Sequence, residues 1–139
     1  MRLKLANAPT SWGIERPSDD SYPSWRRVMD EIAQAGYEGT ELGPYGYLPT
    51  DAPALRSELA SRGLRLTAGT VMQPFHIAEE MQRTLQLSED ICRLLSTQGA
   101  PYLVLIPAIV PEREATAGRS ESAPRLGRAG FHRSRPGQR

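Results

Sequence analysis

Tyr37-Glu-Gly-Thr-Glu-Leu-Gly-Pro-Tyr-Gly-Tyr-Leu-Pro49 decides how this chain is read. It begins where an amphipathic helical pattern stops and turns within a few residues into a glycine- and proline-rich loop. Residues 37–42 read as a short strand that delivers one acid, Glu41, to its C-terminal end. The loop behind it is stiffened by Pro44 and Pro49 and carries Tyr45 and Tyr47 on either side of Gly46. A carboxylate at the mouth of a strand, backed by a rigid aromatic turn, suits a polar ligand better than a packed core.

The same alternation runs outward in both directions. Residues 3–8 are a short apolar-rich run ended by Pro9, and residues 11–23 form a loop with Gly13, two prolines and a cluster of Asp and Ser. Trp25, Val28, Met29, Ile32 and Ala33 recur at helical spacing, and Gly36 supplies the left-handed position that ends the helix. Thr50 or Asp51 caps a second helix with Pro53 in its first turn, Ala52, Leu55 and Leu59 inside, and Gly63 at its end. Residues 64–71 are a third strand, followed by the loop Gln73-Pro-Phe-His76. A third helix over 78–97 points Met81, Leu85, Ile91, Leu94 and Leu95 inward, with Cys92 as a small core residue, and Gly99 closes it. Residues 102–106 are a continuous apolar run of the kind a buried parallel strand shows.

Strand and helix alternate three times before a fourth strand, with short glycine turns from each helix to the next strand. The fold class is therefore α/β, a partial (β/α)8 barrel of about four parallel strands and three to four helices. The chain has 139 residues, against about 250 for a full barrel of this type. Residues 1–110 are expected to form the N-terminal half of such a barrel. Residues 111–139 are expected to hold a polar loop, a short helix opening at 122–126, and an arginine-rich disordered tail with no apolar period. A frameshift or premature stop in a longer reading frame is the economical explanation for that tail.

A net charge of +1 argues against nucleic acid or an anionic membrane as the partner. No run approaches the ~20 apolar residues of a membrane span or the core of a signal peptide, so the expected location is cytoplasmic. The single cysteine excludes a disulfide within the chain and a Cys-x-x-Cys metal site. Asp19–Asp20 and Asp30–Glu31 do not form a metal set: the first pair lies in a loop, and neighbours on a helix point in different directions. Neither a phosphate-binding Gly-rich loop with Lys-Ser/Thr nor a Gly-x-Ser-x-Gly elbow occurs.

Asn7-Ala-Pro-Thr-Ser-Trp-Gly13 and Gly39-Thr-Glu-Leu-Gly-Pro-Tyr-Gly-Tyr-Leu-Pro49 together resemble the xylose-isomerase-like barrel superfamily, and within it the inosose (2-keto-myo-inositol) dehydratases. The resemblance covers roughly residues 3 to 130. It implies loss of water from a keto-polyol in inositol catabolism, with sugar isomerase or epimerase chemistry on the same scaffold as the alternative. It also implies a divalent metal, Mn or Co, at the C-terminal face of the intact barrel. That metal is held by later-strand residues that have no counterpart in this sequence, so no ligand is assigned here and the chain alone is not expected to bind it or to be active.

The candidate residues each carry two readings. Glu41 is a catalytic or substrate-binding carboxylate, or the partner of an arginine at the rim. His76 is a base or a metal ligand, or a surface residue at a helix start. Trp12 stacks on a sugar-like ring, or plugs its loop. Tyr45 and Tyr47 offer pocket hydroxyls to a polyol or keto-sugar, or pack a proline-rich turn. Trp25 belongs to the helical core stripe. A third class of reading is not enzymatic: four strands leave two open edges, and a homo-oligomer through those edges would cover them.

Overall fold

A computed structural model describes residues 3–123 and Arg125. The expected helix opening at 122–126 and the arginine-rich tail fall mostly or wholly outside the described residues. Strands β1 (Ala6–Asn7), β2 (Gly39–Glu41), β3 (Arg65–Gln73) and β4 (Tyr102–Pro107) alternate with helices α1 (Trp25–Gln34), α2 (Ala52–Ala60) and α3 (Met81–Gln98). The strands form one sheet in the order β1-β2-β3-β4, and every pair is parallel. This is the expected partial barrel. Because the strands are parallel, all strand-to-helix loops emerge at one end of the sheet. A short helix, α4 (Pro111–Glu114), stands where a polar loop was expected. Among the described residues no helix is long and apolar enough to cross a membrane.

Local chemistry sets the helix ends. Ser24 caps α1, its hydroxyl accepting the Arg27 N–H, and Asp51 caps α2 by accepting the Ala54 N–H at 2.9 Å. Gly36 and Gly63 follow the helices with φ of 86° and 66°, a region in which a side chain is strained. Val28, Met29 and Ile32 of α1 are fully buried with Leu55 and Leu59 of α2. Arg62 fastens the two helices from outside: Nε donates to Asp30 at 2.5 Å and Nη1 to Glu58 at 2.6 Å. The Arg62 hydrogen bond is the main cause holding the Glu58 carboxyl below its ordinary pKa. Gln98 of α3 donates to the Ala52 carbonyl at 2.9 Å and ties the third helix to the start of the second.

The sheet contains one irregularity. Thr40 pairs with Leu66, but Glu41 pairs with Ala68, so Thr67 is an extra residue in β3. The burial of β3 changes phase there. Leu64 and Leu66 are buried before the bulge, Gly69 and Val71 after it. An added Cβ at Gly69 would lie 2.8 Å from Ile91 Cγ2 and 3.3 Å from Leu95, so glycine lets β3 and α3 approach closely.

Several expectations fail at the edges. β1 and β2 are shorter than 3–8 and 37–42, because β1 meets only the three-residue β2. β4 is apolar but not buried: among the described residues it has one neighbouring strand, and Leu103 packs against the core while Leu105 stays 58% exposed. On α3 the inner face runs through Thr84, Leu87, Ile91, Leu94 and Leu95. Leu85 lies off that stripe, more than half exposed, and Cys92 is exposed rather than core. Trp25 is half-buried, packing on the core with one face while the Arg26 guanidinium sits 4.1 Å from its ring centre.

Gly69→Ala tests the close approach. Ile91 is fully buried and has nowhere to retreat, so the added methyl should cost about 1–3 kcal/mol of unfolding free energy, read from urea denaturation. An unchanged midpoint would mean that β3 and α3 are not in close contact there.

Candidate functional site

The loops at the C-terminal end of the sheet contain all five residues singled out from the sequence. Trp12 ends the 3-10 turn Pro9–Trp12 after β1, Glu41 is the last residue of β2, Tyr45 and Tyr47 lie in the loop from β2 to α2, and His76 follows β3. The first two loops interlock. Pro9 lies against Gly43, and Pro17 lies beside Gly46, where a Cβ would stand 3.0 and 3.3 Å from their ring atoms.

Glu41 is placed by its neighbours. Thr40 and Leu42 are fully buried, and strand alternation turns Glu41 to the opposite face, where it is half-buried. The Leu42 N–H donates to the Ala68 carbonyl at 2.8 Å, and Thr67 Oγ1 donates to the Thr40 carbonyl at 3.1 Å. These bonds fix the backbone on both sides of the bulge and hence the direction of Glu41. Its carboxylate has neither hydrogen bond nor ion pair among the described residues, so the rim arginine that would make it structural is not among them. His76 is exposed, and its imidazole is likewise unbonded among the described residues.

The aromatic candidates are more committed. Trp12 is half-buried against the core, and its Nε1–H donates to Glu31 Oε2 at 2.5 Å. Glu31 also accepts from Arg27 at 2.8 Å, and these two bonds, Arg27 first, hold its carboxyl below its ordinary pKa. Tyr47 is buried, and its hydroxyl donates to the Pro23 carbonyl at 2.8 Å. Burial raises its pKa. Tyr47 thus ties the second loop to the end of the first. Tyr45 packs against the core without a hydrogen bond to its hydroxyl among the described residues.

A groove of about 500 Å³ runs between residues 17–25 and 46–50 and is walled by Asp19, Tyr22, Trp25 and Tyr47. It is large enough for a small ligand, but of the five candidates it includes Tyr47 and not Glu41. Asp19 in its wall is already paired, accepting from Ser21 and Arg16, and these bonds, Ser21 first, depress its pKa, whereas Asp20 beside it is exposed and has no hydrogen bond or ion pair among the described residues. Glu41 differs from Asp20 in being half-buried and fixed at the end of a strand, which makes it the better mark of chemistry.

Sequence reasoning passed over two organising residues. Asn7 Oδ1 accepts from Ala8 N–H at 2.8 Å and Ser11 Oγ at 2.6 Å and shapes the first loop. An Asn two residues before a proline was the available signal. Glu31, rejected as a metal ligand, is instead the clamp on Trp12, and no local pattern announces a partner nineteen residues away. No three His, Cys, Asp or Glu among the described residues are placed to hold a metal ion. Glu41 and His76 do not amount to a ligand set for the divalent metal that the resemblance implies.

Comparison with known proteins agrees with these motifs. The chain is 30% identical over 103 residues to an inosose dehydratase of Mesomycoplasma hyopneumoniae (strain 7448), an alignment covering 73% of this chain and 33% of that protein. It is 29% identical over 122 residues to an inosose dehydratase of Lactiplantibacillus plantarum, covering 87% and 38%. A third inosose dehydratase, from Bacillus velezensis, is 28% identical over 99 residues, covering 70% and 32%. The chain spans about a third of the length of the curated relatives it matches. No family model matches. A solved xylose isomerase-like TIM barrel/4-hydroxyphenylpyruvate dioxygenase fusion protein superposes with a TM-score of 0.57 at 17% identity, covering 78% of this chain and 17% of that one. That likeness supports the barrel fold alone. The chain is a distant, partial relative of the inosose dehydratases.

The Trp12–Glu31 bond has a pH signature. A depressed carboxyl contributes stability that is present above its unfolded pKa, about 4.3, and is lost as pH falls through the lower folded value. In a Trp25→Phe background, Trp12 fluorescence should stay constant from neutral pH to the ordinary carboxylate range and change below it. Glu31→Gln should abolish that titration, and a titration that survives would assign it to another group.

Proposed function

We propose that this chain supplies one wall of a keto-polyol site, with Glu41 as its working carboxylate, in a dehydration like that named for its relatives. One observation carries the reading. Glu41 is a half-buried carboxylate without a partner among the described residues, held at the C-terminal end of a parallel strand on the face turned away from the helices. That end is where parallel α/β architectures put their ligands.

The chemistry follows from the group. Dehydration of a keto-polyol removes a proton from the carbon next to the ketone and hydroxide from the carbon beyond it, leaving a carbon–carbon double bond and one water. The proton is acidic because the adjacent carbonyl takes up the electron pair as an enolate. A carboxylate without an internal partner can accept that proton, or accept a hydrogen bond from a substrate hydroxyl and so hold the ring in register. His76, exposed on the next loop, is the second group proposed to move a proton. Tyr45 has a hydroxyl left to offer the substrate, whereas Trp12 and Tyr47 act by fixing the loops. The divalent metal implied by the resemblance would have to draw its ligands from outside the described residues.

Saturation-transfer NMR with 2-keto-myo-inositol tests this reading. The wild-type chain should bind the keto-polyol, and Glu41→Gln should weaken binding by about 10- to 100-fold, the loss of a hydrogen bond to a charged group. Leu85→Ala, a change on the outer surface of α3, should leave binding unaltered. Absence of binding, or equal binding by Glu41→Gln, would overturn the assignment.

A further inference from the structure

Among the described residues the sheet has one covered and one uncovered face. Gly69 and Val71 mark the covered side, because Gly69 abuts Ile91 and Leu95 of α3. Alternation turns Ala68, Thr70 and Met72 to the other side, and the register brings Tyr102, Val104 and Ile106 beside them. Met72, Tyr102, Val104 and Ile106 are 37–66% exposed. The two edge strands add to this. Leu3 and Leu5 are exposed just before β1, and Leu105 is exposed on β4. Among the described residues β1 and β4 each have a single neighbour in the sheet, and a strand edge without a neighbour offers backbone N–H and C=O groups that recruit another strand.

We infer that a second copy of this chain covers this surface, β4 of each copy lying parallel to β1 of the other, so that two four-stranded sheets close into one eight-stranded barrel. The geometry selects that occupant. The two edges are different strands of the same parallel sheet, so a twofold axis along the barrel makes both seams identical and leaves no edge free. Closed twofold assembly is also the commonest form of association. Closing the barrel buries the four inner apolar side chains, 37–66% exposed in each copy, together with two strand seams, which is how a stable interface of ~800 Å² per partner is assembled. A net charge of +1 per chain opposes the approach little. A flat stack of two concave faces would cover the four inner side chains but leave both strand edges open.

The test uses the full chain. Sedimentation equilibrium at up to about 100 µM should give twice the chain mass of 15.4 kDa. Ile106→Lys, which puts a charge on the concave face, should yield monomer with unchanged far-ultraviolet circular dichroism. Leu85→Lys, on α3 away from the seams, should remain dimeric. Oxidising a mixture of Leu5→Cys and Leu105→Cys chains, both carrying Cys92→Ser, should crosslink one chain of each kind and not two of the same kind. A monomer throughout, open-ended aggregates, a dimer unmoved by Ile106→Lys, or crosslinks between two Leu5→Cys chains would each overturn the inference.

Discussion

One residue too many in β3 governs the rest of this structure. β2 is short and offers no partner for Thr67, so the ladder skips from Thr40–Leu66 to Glu41–Ala68. Without the skip, strict alternation would put Gly69 and Val71 on the face opposite Leu66, and one end of β3 would lose its apolar contact with the helices. With it, Leu64 and Leu66 join the core near α2, and Gly69 and Val71 meet α3. The Leu42 and Thr67 hydrogen bonds across the skip hold it in place. The same irregularity leaves Glu41 beside Ala68 on the uncovered face. Packing of the third helix and presentation of the carboxylate are thus two results of one register shift.

The loops are organised on a second principle, the early commitment of polar groups. Asn7 holds Ser11, Asp19 holds Ser21, Glu31 holds Trp12, and Tyr47 holds Pro23. Each bond removes a donor or acceptor from competition for a ligand while stiffening the segment around it. Glu41 stands apart because it lies at the centre of this frame and is not used by it. A rigid surround with an unspent, half-buried carboxylate is what preorganisation requires, since the ligand then supplies the missing hydrogen bond without having to order the loop.

Much of this was legible in the sequence where the cause is local. Gly36, Gly63 and Gly99 mark helix ends because only a residue without Cβ takes the left-handed conformation freely. A cap at Thr50 or Asp51 is legible because the pair precedes an apolar period and a proline, and the structure uses Asp51. The inner face of α1 follows from spacing alone. Failures occur where a distant element decides. Leu105 and Ile106 read as buried because an apolar strand normally has neighbours on both sides, and β4 has one. Cys92 and Leu85 fit a helical stripe in sequence but lie about a quarter-turn off the face that α3 presents to β3. The partner of Trp12 is on another element, so residue type could suggest stacking or plugging but could not choose between them.

The two principles meet at the mouth of the sheet. If two copies close into one barrel, both Glu41 side chains point into a shared interior from opposite walls. Two carboxylates in one low-dielectric space disfavour each other's charge, and the cost falls with distance and with intervening hydroxyl groups or water. A polyol is well suited to that position, because it offers several hydroxyls to two acceptors at once. A fully apolar ligand would leave both carboxylates unsolvated. In such a dimer a hydroxyl-rich guest would offset the repulsion between the two carboxylates, which links the association proposed for the sheet edges to the chemistry proposed for Glu41.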